Sequence, residues 1–232
     1  MPLLVRTWNV FHGNAQPPRR RGFLHEMVEL ASADRPDVLC LQELPVWSLP
    51  LVDGWAGMDA ARSIARRPFV FPGGLAGWIT RRHQGFFRSG ISGQANAILA
   101  AREHGLEDLG DEQISGDGRE RRTVHAVRVA GRIVVANLHA SNSADRELVE
   151  REIARALAFA ESRARTGEPL VLAGDFNLAG VRVDGFSAPA GGIDHVLVRG
   201  LPAAEPRTWP VEARVQNGAV LSDHAPVEVE VG

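Results

Sequence analysis

The chain has 232 residues, 44% of them apolar and 23% charged, with a net charge of −2. That balance fits one ordinary globular domain, expected over residues 1–232, with a sizeable core. It excludes a membrane-spanning segment, because no apolar run approaches the roughly 20 residues that crossing a bilayer requires. Strand-like sequence from Leu3 leaves no room for a signal peptide, and the lone Cys40 permits no intrachain disulfide, so a cytoplasmic monomer is expected. All 26 basic residues are Arg, and Tyr is absent. The net charge does not announce a nucleic-acid binder. Its distribution is uneven: residues 1–132 hold 17 Arg against 14 acids, residues 133–232 hold 9 against 14, and no acid falls between Ala60 and Arg102.

In chain order, Leu3–Val10 reads as a strand, and Pro17 to Gly22 as a loop. Phe23, Met27, Leu30 and Ala31 recur at helical spacing, predicting a helix over Phe23–Ala33 that Pro36 ends. Val38–Leu44 is a buried strand, with Cys40 as a small core residue. Residues 45–94 are rich in Pro, Gly and aromatics, with a short helix expected near Met58–Arg66. Ala95–Ala101 is strand-like. Thr123–Val129 and Arg132–Leu138 flank Ala130-Gly131, a candidate two-residue hairpin turn. Ser143 is the expected cap of a helix to about Arg165, with Leu148, Ile153, Leu157 and Ala160 inward. Leu170–Ala173, Ile193–Val198 and Pro226–Val231 complete the strands, the last with Glu228 and Glu230 facing solvent. Many strands and few helices argue for packed sheets with helices outside.

Polar residues stand where the apolar runs begin or end: Asn9, Glu43, His139, Gly174-Asp175-Phe176-Asn177, Asp194-His195 and Ser222-Asp223-His224. Six such blocks suggest one mouth of a sheet structure. Phosphate-ester hydrolysis needs a divalent cation, donors for the non-bridging oxygens, and a base for the attacking water. Mg²⁺ prefers oxygen ligands, a role Glu43 suits, although a lone strand-end Glu as a rule has simply reached solvent. Asp175 and Asn177 point to one side and can orient a water, or merely end a strand as an Asx turn. Asp194 can fix the tautomer of His224 if their strands are neighbours.

Taken with Trp8-Asn9, Gln42-Glu43 and Gln94 to Leu99, these blocks resemble the endonuclease/exonuclease/phosphatase superfamily in order, from residue 8 to residue 227. The resemblance implies a four-layer α-β-β-α sandwich of two packed mixed β-sheets with helices outside, and an active site at one end. It implies Mg²⁺ or Mn²⁺ held by Glu43 with Asn9 and Asp223. It implies catalytic roles for His139, Asp175, Asn177, Asp194 and His224, and substrate contact at Asn96. Asp175 is favoured for water activation and His224 for the phosphoryl oxygens, with the reverse assignment open. Arg121 or Arg122 is expected to occupy the place where some family nucleases have a Tyr.

Two further departures are present, the first bearing on substrate and the second a neutral packing change. Only 18 residues separate Asp175 from Asp194, short for an abasic-site nuclease, and His195 stands where Tyr is frequent. Between residues 60 and 102, Arg62, Arg66, Arg67, Arg81, Arg82 and Arg88 alternate with Phe69, Phe71, Trp78, Phe86 and Phe87, a composition that suits a phosphate backbone with stacked bases, an anionic membrane surface, or a core with solvated Arg. The expected activity is therefore a metal-dependent phosphodiesterase acting on a phosphate ester, foremost a nuclease on nucleic acid. The alternative is a phosphatase or phospholipase-type enzyme on a small or lipid head-group phosphate. A binding protein on the same scaffold is disfavoured, since every matched catalytic position is filled.

Overall fold

A computed structural model describes residues 2–18, 21–68, 92–116 and 120–232. Its strands are β1 Leu3–Asn9, β2 Ala15–Gln16, β3 Val38–Leu44, β4 Asp59–Arg66, β5 Gln94–Ala100, β6 Leu106–Gln113, β7 Thr123–Val129, β8 Ile133–His139, β9 Leu170–Asp175, β10 Asp194–Arg199, β11 Arg207–Thr208, β12 Val215–Gln216, β13 Ala219–Leu221 and β14 Val227–Val231. The α-helices are α1 Leu24–Ser32, α2 Val52–Ala56 and α3 Arg146–Arg163. Among the described residues, sheet 1 has the order β11-β14-β1-β3-β5-β4, sheet 2 the order β10-β9-β8-β7-β6, and β12-β13-β2 form a small third sheet. Among the described residues, no helix is long and apolar enough to cross a membrane.

Side-chain alternation sorts the layers. Val5, Val38, Cys40 and Ile98 of sheet 1 meet Val127, Val135, Val171 and Val196 of sheet 2 in one shared core. The opposite faces carry the helices. Leu24, Met27, Val28 and Ala31 recur at i, i+3, i+4 and i+7 and seat α1 against Leu39, Leu41 and Leu99. Val149, Ile153, Ala156 and Phe159 seat α3 against Val134, Ala136 and Leu172. The result is the α-β-β-α sandwich. Cys40 is fully buried, and burial pushes its thiol pKa up, so it is a core residue.

Two parallel pairs fix the functional end. β1 runs parallel to β3, with α1 between them in sequence, and β8 runs parallel to β9, with α3 between them. The carboxyl ends of all four strands therefore open on one mouth. β5, β7, β10 and β14 are antiparallel to β3, β8, β9 and β1, so their first residues arrive at the same end.

Several expectations are corrected. Residues 59–66 form β4 rather than a helix: Ala61, Ser63 and Ala65 are buried while Asp59, Arg62, Ile64 and Arg66 are exposed, a period of two. The β7–β8 turn holds three residues, since Val129 pairs with Ile133. The cap of α3 is Asp145, whose carboxylate accepts from the Leu148 amide at 3.1 Å, while Ser143 accepts from Asp145 one turn earlier. Glu228 is buried, because β11 covers β14 and Arg6 reaches it from β1.

Candidate active site

Gly174 shows how tightly the mouth is built. A Cβ there would sit 1.9 Å from the Leu138 carbonyl oxygen, and φ is +140°. Only glycine lets β9 lie this close to β8 and carry Asp175 alongside His139, its register partner.

Asp175 is buried, and across the β9–β10 ladder it faces Asp194. Its Oδ2 accepts from Asn9 Nδ2 at 3.0 Å and its Oδ1 from the Asn177 backbone amide at 2.9 Å. Burial, then the charge of Asp194, push its pKa up to about 7. His224, in the loop before β14, places Nδ1 2.8 Å from Asp194 Oδ2 and Nε2 3.8 Å from Asp175 Oδ2. Burial alone would lower its pKa; the Asp194 hydrogen bond and charge, with Asp175 and Asp223, outweigh that and raise it to about 9. An imidazolium thus bridges two aspartates.

Glu43 reaches the mouth through a kink. The β3–β5 register shifts between Leu41 and Leu44, and Glu43 takes a left-handed φ of 56°. Its carboxylate lies 3.6 Å from His12 Nε2 and 3.7 Å from His139 Nε2. Burial raises its pKa despite Arg122, Asn9 and His224. His139 is held well below its usual value by burial and by the charges of Arg122, His224 and His12. Arg122 Nη1 stands 3.1 and 3.0 Å from its two ring nitrogens. Gln94 completes this wall, its amide oxygen turned to Arg122 and His139 and its nitrogen to Glu120 Oε1 at 3.3 Å.

The structure brings Asn9, Glu43, Arg122, His139, Asp175, Asp194 and His224 together. Asn177 is adjacent, but its side-chain nitrogen donates to the Ala140 carbonyl at 2.9 Å, tying the ends of β8 and β9. Asp223 is exposed on the rim. Two of the expected substrate contacts lie outside this group. Asn96 is fully buried opposite Ser63, one residue pair beneath the mouth. Arg121 turns away from its neighbour and lies 3.9 Å from Asp111 of β6. Arg62 is engaged by Asp53 and the Leu49 carbonyl. Phe69, Phe71, Trp78, Arg81, Arg82, Phe86, Phe87 and Arg88 lie outside the described residues. His195 packs edge-on against Phe176 and contacts the Leu178 carbonyl at 2.9 Å. Sequence reasoning missed His12, since a single His in a turn carries no periodic signal, and it placed Gln94 in a matching block without giving it a role.

Two carboxylate-centred groups bear on a cation. Asp175, Asp194 and His224 present ligand atoms within 4.8 Å of one another. A protonated His224 already supplies positive charge there and has no lone pair to offer. Glu43 differs: burial disfavours its charge, and its ion-pair partners among the described residues are two imidazoles at 3.6 and 3.7 Å. Its carboxylate, beside the Asn9 amide, is a hard oxygen set that fits Mg²⁺ or Mn²⁺. A cleft of about 260 Å³ opens on one side, lined by Asp194, Asp223, His224 and Thr208. His12 also borders a groove of about 190 Å³ beside α1 and α2, lined by His25, Trp47 and Trp55. A cavity of about 500 Å³ beside Ile153 of α3 lies over the outer face of sheet 2, away from these groups.

The endonuclease/exonuclease/phosphatase family model matches residues 7–224. Among solved structures, a functionally unknown conserved protein from Enterococcus faecalis V583 superposes with a TM-score of 0.71 at 14% identity, covering 99% of each chain. TDP2 from Caenorhabditis elegans gives 0.68 at 14%, covering 100% of this chain and 74% of that one. A mannosyl-6-phosphatase from Bacteroides thetaiotaomicron gives 0.66 at 16%, covering 99% of each. Identities this low carry the fold alone. Among curated protein sequences none matches significantly. A family match that runs from the first strand to the loop bearing His224 takes in both sheets and the whole mouth between them, and the chain belongs to the endonuclease/exonuclease/phosphatase family.

Proposed function

We propose that this phosphoester-hydrolase family member is a divalent-metal-dependent phosphodiesterase, with nucleic acid as its foremost substrate class. The observation that carries the reading is the Asp175–His224–Asp194 chain set 3.5 Å from His139 and beside Glu43. With its pKa at about 7, Asp175 suits the task of taking a proton from the attacking water near neutrality. Asn9 and the Asn177 amide aim its two oxygens. His224, kept charged by Asp194, stabilises the negative oxygens of the transition state, and Arg122 does so from the His139 wall. Glu43 with Asn9 would hold the cation, which supplies Lewis-acid charge to the phosphoryl group.

The cleft beside His224 and the groove bordered by His12 offer room for two substituents, which supports a diester. A second reading, a phosphatase or phospholipase on a small-molecule or head-group phosphate, is favoured by Asp194 and Asp223 in the cleft beside His224, since acids there repel a neighbouring backbone phosphate. Hydrolysis of plasmid, single-stranded DNA, RNA, bis-p-nitrophenyl phosphate, sugar phosphates and sphingomyelin with Mg²⁺, Mn²⁺ or EDTA separates them. Metal-dependent cleavage of polynucleotide is expected, reduced about 10²–10⁴-fold in His224→Ala. Cleavage confined to monoesters selects the second reading, and full activity in EDTA or in Glu43→Ala removes the metal.

A further inference from the structure

We infer that Asn137 is a positioning residue: its amide fastens sheet 2 to the kink in β3 and so fixes where Glu43 stands. This rests on the proposed role of Glu43. Asn137 points inward from β8, fully buried, two residues before His139. Its Nδ2 donates to the Leu41 carbonyl and to the Ala97 carbonyl, each at 3.0 Å, and its Oδ1 accepts from Gln42 Nε2 at 2.8 Å.

Leu41 and Ala97 are the last register pair of β3 and β5 before the shift, and pairing resumes only at Leu44 and Ala95. The bulge interrupts the ladder just beyond that pair. Both carbonyls of the pair receive a donor from one side chain on the opposite sheet. The bulge is what permits Glu43 its left-handed backbone, a conformation that persists in a non-glycine residue only where its surroundings dictate it. The same network reaches β1: Gln42 Nε2 also contacts Thr7 Oγ1 at 2.9 Å, two residues before Asn9. One amide thus sets the spacing between His139 on its own strand and the Glu43 and Asn9 pair on the facing sheet. Leu in its place has no donor, and Asp turns acceptors towards two carbonyls.

Asn96 supplies a matched control. It is equally buried in the same layer, yet neither of its amide atoms has a partner among the described residues. The test is Mn²⁺ affinity by calorimetry, with amide hydrogen exchange across Leu41–Leu44 in EDTA, on the full chain carrying Asn137→Asp, Asn137→Ser or Asn96→Leu. Both Asn137 variants are expected to lose at least about tenfold in Mn²⁺ affinity, as removal of a ligand's supporting partner does. Exchange at 41–44 is expected to quicken in the same two variants, with Asn96→Leu unchanged in both measurements. Asn137→Ser keeps a hydroxyl donor and serves where the Asp variant does not fold. A folded Asn137 variant with wild-type exchange and wild-type Mn²⁺ affinity overturns the inference. A wild-type protein that binds no Mn²⁺ overturns the metal reading instead, while the exchange result still decides the clamp.

Discussion

Two of the clusters of charge in this sandwich behave in opposite ways. At the β1–β14–β11 edge, Arg6 is fully buried and meets Asp34 at 2.7 Å, the Ala31 carbonyl at 2.6 Å and Glu228 at 2.7 Å. Glu228 also accepts from Arg207 and from Trp209, and the Arg6 guanidinium lies over the Trp209 ring. Burial works against the Glu228 charge, yet the Trp209 and Arg6 hydrogen bonds hold its pKa below the usual range; the Arg6 hydrogen bond lowers that of Asp34. At the mouth, Asp175 is buried as deeply as Glu228 and Glu43 is half-buried, and the pKa values of both rise. Burial is common to both clusters. What marks the mouth is carboxylate charge without enough fixed opposite charge, an arrangement that costs stability and leaves the groups reactive.

The contrast is tested most strongly at the edge. Arg6→Met leaves buried Glu228 with only Arg207 and Trp209 to meet its charge, and urea unfolding should show a loss of about 3–5 kcal/mol, with hydrolysis by the folded enzyme at 20 °C unaltered. A loss under about 1 kcal/mol would mean that the edge network is no better compensated than the mouth. At the mouth the sign reverses. Glu43→Gln should leave the metal-free protein as stable as the wild type or more so. Wild type in Mn²⁺ at a hundred times Kd should gain about 2.7 kcal/mol, a gain absent from Glu43→Gln. An equal gain in both would place the cation elsewhere.

The smallest effect is on pH. The folded pKa values of Asp175 and His224 are both raised, to about 7 and about 9. Their stabilisation is therefore complete below the unfolded values and is lost as pH rises through the folded ones. Tm measured in EDTA should fall between pH 6.5 and 8, by on the order of 1–2 kcal/mol or about 4 °C, and Asp175→Asn should flatten the fall. A Tm that rises over that interval would refute the raised values.

Much of this was legible beforehand because strands buried on both faces read as continuous apolar runs, and polar residues at their ends stand out. Asn9, Glu43, His139, Asp175 and Asp194 were visible in that way. β4 was not, because Ala61 and Ala65 are good helix formers and only tertiary packing reveals their alternation. β6 was not, because Leu106–Gln113 is an edge strand with mostly exposed residues and four acids, and its pattern lacks an apolar face. Glu228 read as a solvent-facing member of an alternating strand, since nothing in its own neighbourhood announces Arg6, 222 positions away. Asn137 was not visible either, because its amide acts through two carbonyls, and backbone groups leave no trace in sequence.

The loop that carries His224 is stapled to the first strand. Ser222 Oγ donates to the Asn9 carbonyl at 2.7 Å, and Trp8 Nε1 donates to the His224 carbonyl at 3.0 Å. Biosynthesis makes these partners at opposite ends of the process. Sheet 2 and its helix can collapse while residues beyond Arg199 are still being added, but β1 has its β14 edge uncovered until Val227–Val231 emerges. Closing so long a loop is slow. The imidazole and the aspartate on which it rests therefore meet late, and a nascent chain halted before Ser222 holds most of a scaffold without the His224–Asp194 contact.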